Sequence, residues 1–98
     1  MKLRFTALAI RQFEAIADHI SRTDRAASRK VAKRIRVTCE LLTDFPAIGR
    51  LGTRAGTREL SIRGLPYVIV HRVTEDEIVI LGIYHVRQLR PAQNPPGS

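Results

Sequence analysis

The sequence predicts an α+β fold: a short N-terminal strand, an antiparallel helix hairpin, and a small antiparallel sheet ending in a three-stranded meander. Three observations carry this reading. Apolar residues recur at helical spacing in two stretches separated only by Ser21 to Asp24. Runs dense in β-branched and aromatic residues appear only after Arg58. The 98 residues suffice for one domain with a single core two layers thick.

The elements follow in order. Lys2-Leu3-Arg4-Phe5 alternates polar and apolar, as a short strand does. Thr6 then offers an N-cap hydroxyl, with Phe5 and Ile10 placed as a hydrophobic staple. Ala9, Phe13, Ile16, Ala17 and Ile20 make residues 7–21 an amphipathic helix. Thr23 or Asp24 caps a second helix that runs to about Thr43, with Ala27, Val31, Ile35, Thr38 and Leu42 as its apolar stripe. Arg25, Arg29, Lys30, Lys33 and Arg36 occupy its other side. Pro46 and Gly49 end the helical region, and residues 49–57 read as a flexible, basic, glycine-rich loop.

Arg58 to Arg63, Tyr67 to Val73 and Ile78 to Tyr84 are the strands of the meander, with Gly64-Leu65-Pro66 and Glu75-Asp76 as turns. Pairing the last two strands evenly about Glu75-Asp76 sets Tyr67, Ile69, His71 and Val73 beside Tyr84, Gly82, Ile80 and Ile78. A slip of one residue would reverse the last set. Both sheet faces come out apolar, and one helix hairpin covers only one of them. The other face is either a partner site or is covered by the N-terminal strand and loop 49–57. The domain is expected over residues 1–88, followed by a flexible Pro-rich tail over 89–98.

Charge is the outlying quantity: 17 Lys and Arg against 9 Asp and Glu give +8, mostly from arginine. Such an excess attracts polyanions or an acidic protein partner; a solvated basic surface is the alternative. Cys39 lies within a helical pattern and reads as a buried, inert thiol. No Cys/His cluster has metal-ligand spacing, the glycine-rich loop lacks P-loop spacing, and no cofactor is implied. The first twenty residues carry Arg4, Arg11, Glu14 and Asp18, unlike a signal peptide, and no apolar run is long enough to span a membrane. A cytoplasmic protein is expected.

Four phrases in this order resemble the RelE/ParE toxin superfamily across residues 2–88. They are Phe45-Pro46-Ala47-Ile48-Gly49-Arg50, Gly56-Thr57-Arg58-Glu59-Leu60, Leu65-Pro66-Tyr67-Val68-Ile69-Val70-His71-Arg72-Val73 and Ile80-Leu81-Gly82-Ile83-Tyr84-His85. The wording is most similar to the ParE branch. That resemblance implies a toxin of a type II toxin–antitoxin pair that inhibits DNA gyrase by binding and is neutralised by a ParD-like antitoxin. The alternative it implies is a ribosome-dependent mRNA endonuclease of the RelE/YoeB kind, using Arg58, Arg72 and His85. A metal-free ribonuclease needs a base, an acid and cations for the phosphorane charge. Here Tyr67 stands where the YoeB branch has an arginine, and loop 49–57 offers neither its glutamate nor a lysine.

His85 reads either as a general acid or as a sheet-end histidine bonded to a backbone carbonyl. His71, between apolar neighbours, reads as packed. Arg58 and Glu59 either pair with one another, or Arg58, Arg63 and Arg72 form a patch that receives acidic side chains. With Arg50, Arg54, Arg87 and Arg90 these arginines make the candidate antitoxin- or target-binding set.

Overall fold

The computed structural model describes residues 1–93, with side chains through Leu89. Its elements are β1 (Lys2–Phe5), α1 (Ala7–Ser21), α2 (Arg25–Asp44), β2 (Arg50–Leu51), β3 (Arg58–Ser61), β4 (Tyr67–Val73), β5 (Glu77–His85) and α3 (Val86–Gln93). The five strands form one sheet in the order β1-β5-β4-β3-β2. The α+β class holds, but the sheet is mixed, because β1 pairs parallel with β5 while the other neighbours are antiparallel. The N-terminal strand therefore extends the sheet at its edge instead of folding over a face.

The helix hairpin forms where its caps place it. Thr6 accepts the Ala9 N–H at 3.1 Å and opens α1, and Asp24 accepts the Ala27 N–H at 2.9 Å and opens α2. The two helices approach closely at Ser28, whose hydroxyl donates to the Ala17 carbonyl at 2.6 Å. The inner face of α2 buries Ser28, Ile35, Cys39 and Leu42. It is rotated from the expected stripe, which had Ala27 and Thr38: the Thr38 hydroxyl instead donates to Arg34 O within its own helix. Beneath the hairpin, Ile69 of β4 and Ile78, Ile80 and Ile83 of β5 close the core with Ile35 and Leu42.

One irregularity decides which side chains meet. Val73, Arg72 and His71 pair with Ile78, Val79 and Ile80 as even pairing about the turn requires, but Val70 then pairs with Gly82. Leu81 is the extra residue of a β-bulge, and beyond it the expected register is overturned: Tyr67 faces His85, and Val68 faces Tyr84. Helix α1 satisfies the backbone groups that the bulge displaces. The Thr6 hydroxyl donates to Leu81 O at 3.0 Å, and Gln12 Oε1 accepts the Ile83 N–H at 2.7 Å.

Two further expectations are corrected. Within the loop expected over 49–57, Arg50–Leu51 is a strand paired with β3, and the turn after it is closed by the Gly52 N–H donating to Thr57 O at 2.8 Å. A side chain at Gly52 would meet the Thr57 hydroxyl, so the turn needs glycine there. The tail expected from residue 89 is helical in α3 as far as Gln93, and the rest of that expectation lies outside the described residues. Among the described residues no helix is long and apolar enough to cross a membrane.

Candidate binding groove

The sheet face away from the helix hairpin carries Val68, Val70 and Arg72 of β4, paired with Tyr84, Gly82 and Val79 of β5. Val68 and Val79 are buried, so this face is partly covered. What remains open is a groove of about 470 Å³, floored by Val70, Leu81 and Tyr84 and walled by the 53–57 turn and by Gln88 and Leu89 of α3. Gly82 makes room for this floor: the Tyr84 ring lies where a β-carbon at Gly82 would sit.

Charge is arranged around the groove in two ways. Glu59 lines it, with a side chain only 5% exposed, and its Oε1 accepts from Arg50 Nη2 at 3.0 Å and Nε at 3.2 Å. A charge-assisted bond of this kind is worth about 1.5–3 kcal/mol. Glu59 thus pairs with Arg50 and not with Arg58, because neighbouring residues of a strand point to opposite faces. Arg54 and Arg72 also line the groove, and neither makes an ion pair or side-chain hydrogen bond among the described residues. Two free guanidinium groups therefore border an apolar floor, an arrangement fitted to carboxylates carried on an apolar segment.

The other expected site residues are dispersed. Arg58 shares the helix-side face with His71 and donates to Gly49 O at 3.3 Å. Arg63 follows β3 and lies beside α2, where its carbonyl accepts from Arg34 at 3.0 Å. Arg87 lies with His85 and His19 along a separate cleft against α1. The Arg90 side chain lies outside the described residues. Arg50, Arg54 and Arg72 are thus brought together, and Arg58, Arg63 and Arg87 are not.

His85 is a helix cap. Its Nδ1 accepts the Arg87 N–H at 3.1 Å, while Gln88 Oε1 reaches back to accept the His85 N–H at 2.7 Å. The pair is reciprocal in the manner of a capping box, with His in the place of Ser or Thr and the N2 amide, Arg87, in the place of the N3 amide. The expected carbonyl partner is replaced by an amide donor. The acceptor role at Nδ1 puts the proton of the neutral ring on Nε2. Tyr67 packs edge-on against the ring, with centroids 5.7 Å apart. The bulge at Leu81 turns His85 toward the helix side and leaves Arg72 on the open face, so Arg58, Arg72 and His85 do not converge.

Two buried groups stand apart from the groove. Burial pushes the Cys39 thiol up to about 12, with Glu40 adding to the rise, so it stays protonated. His71 is fully buried, with Nε2 3.4 Å from Pro46 O and no partner for Nδ1. Sequence reasoning missed Glu59, Tyr84 and Gln88 as groove residues. The Arg50-to-Glu59 spacing across a β turn was the available signal for the first.

Comparison with known proteins agrees with the fold. Residues 3–90 match the family model of the ParE toxin of type II toxin-antitoxin system, parDE. The chain is 34% identical over 90 residues to a Sinorhizobium fredii protein named "Putative toxin Y4kP", covering 92% of this chain and 93% of that one. It is 33% identical over 85 residues to Toxin RelE2 of Caulobacter vibrioides, covering 87% and 94%. The solved structure of a chromosomal ParDE TA system from P. aeruginosa superposes with a TM-score of 0.79 at 27% identity, over 87% of this chain and 95% of that one.

Proposed function

The chain belongs to the ParE toxin family of type II toxin–antitoxin systems, and from that premise we propose that it acts in the cytoplasm by binding DNA gyrase and is neutralised by a ParD-like antitoxin. The observation that carries the reading is the open-face groove, in which Arg54 and Arg72, without an ion pair among the described residues, border the apolar floor of Val70, Leu81 and Tyr84. An acidic, amphipathic antitoxin segment that folds on binding fits such a surface, with carboxylates on the guanidinium groups and apolar side chains on the floor. An antitoxin seated there covers the surface the toxin offers its target, which is sufficient to neutralise a toxin that works by binding.

The reading needs no cofactor. Nuclease chemistry asks for a base, an acid and cations around one phosphate. Arg72 on the open face, Arg58 on the helix side and His85 at a helix cap supply no such cluster.

Inducing the toxin alone, with two readouts, tests this. Extracts should lose gyrase supercoiling activity while primer extension finds ribosome-bound message intact. Codon-phased cuts in message with unaffected gyrase would replace this reading by the endonuclease.

A further inference from the structure

Helix α2 carries a second apolar stripe that the fold leaves unused. Its inner face packs Val31, Ile35, Cys39 and Leu42 on the core. On its outer side Val37 is 51% exposed, Leu41 43% and, at the C-cap, Phe45 55%. Spacing of four residues makes these three a continuous row along the helix. Seven residues before Val37 and Leu41, on the same rows, stand Lys30 and Arg34.

There the row meets an open pocket of about 390 Å³ lined by Lys30, Val31, Arg34, Arg63, Gly64 and Leu65. None of the three cations makes an ion pair among the described residues, although Arg34 donates to the Arg63 carbonyl. From Lys30 to Phe45 the strip runs about 22 Å, the length of four helical turns. It is basic at one end and apolar at the other, with Asp44 closing the apolar end.

We propose that this strip docks an acidic, amphipathic helix of another protein, with its carboxylates at Lys30, Arg34 and Arg63 and its apolar side chains on Val37, Leu41 and Phe45. Charge decides against a second copy of this chain. In any antiparallel register a second copy offers only Glu40 and Asp44 of its α2 against Lys30, Arg34 and Arg63, so at least one cation is left without a carboxylate. The net charge of +8 on each copy adds repulsion. The strip lies on the hairpin side of the sheet and the groove on the other, so this inference stands apart from the reading of the groove.

The probe is a synthetic helical peptide of about 18 residues, with leucines at i, i+4 and i+8 and glutamates in one terminal turn. Its control carries lysines in place of the glutamates. Fluorescence anisotropy should show the acidic peptide binding the intact toxin about tenfold or more tighter than the control. Measured in an Arg72→Glu background, which removes the competing attraction of the groove for an acidic peptide, that preference should persist, and adding Leu41→Glu or Arg34→Glu should each abolish it. Val37→Gln is the milder variant if circular dichroism shows Leu41→Glu misfolded.

Equal binding of the two peptides overturns the proposal, as does unchanged binding to the strip variants or loss only in Arg72→Glu. Self-association of the toxin that Leu41→Glu abolishes, with no peptide binding, overturns it in favour of a second copy.

Discussion

Two histidines show how position decides chemistry. His71 is sealed beneath Pro46, and its pKa is lowered from 6.5, first by desolvation, with the nearby Arg58 guanidinium adding to the fall and the Pro46 hydrogen bond opposing it. The unfolded chain therefore takes up the proton first as pH drops. Stability contributed by neutral His71 is complete above pH 6.5 and declines below it until the folded value is reached. His71→Leu removes this dependence. Between about pH 7.5 and about pH 5.5 the wild type should lose more melting temperature than the variant does. Parallel losses in the two proteins would mean that His71 is not the titrating group. His85 uses its ring differently, as the acceptor that starts α3, and replacing a cap by alanine costs about 1 kcal/mol. Asn caps well and carries no proton at neutral pH, so His85→Asn separates a cap from an acid.

At the scale of elements, the bulge in β5 is the feature with most consequence. Two side chains hold it, the Thr6 hydroxyl donating to Leu81 O and Gln12 Oε1 accepting the Ile83 N–H from within α1. Gln12→Ala leaves that buried donor unpaired, at a cost of about 1–3 kcal/mol. For a domain of this size the melting temperature should fall by roughly 4–8 °C per kcal/mol. Gln12→Glu, still an acceptor, should lose less; an alanine variant that melts with the wild type would show the bulge to be held by other contacts. Much of the fold was legible because its signals are local. Thr6 and Asp24 are ordinary caps, and the β-branched runs name their own strands. The bulge was not legible, since Leu81-Gly82 continues an apolar run with no break in composition, and even pairing then sends Tyr84 and His85 to the wrong faces. Helix α3 was hidden by Pro91 within it and by a cap built from His85 and Gln88 instead of Ser or Thr. The groove was legible only in its arginine content. Which of seven arginines gather there depends on strand register, and register is set by contacts distant in sequence.

The molecule as a whole is a sheet with different work on its two faces. One is sealed by the helix hairpin and holds the core; the other is half-covered by the 53–57 turn and α3, and there Arg54 and Arg72 have no ion pair among the described residues. Long-range attraction from the +8 charge would draw in an acidic partner from any direction, whereas the groove gives it one place to settle. Local and global charge separate when two reversals of equal size are compared: Arg72→Glu in the groove and Arg29→Glu on the exposed side of α2. Supercoiling by purified gyrase, titrated with the wild type, both reversals and His85→Asn, is the most direct measurement. Arg29→Glu and His85→Asn should inhibit as the wild type does, while Arg72→Glu, folded, should need about tenfold more protein, the effect of losing roughly 1.4 kcal/mol of binding. An inactive His85→Asn beside a fully active Arg72→Glu would contradict a toxin that works by binding through its open face.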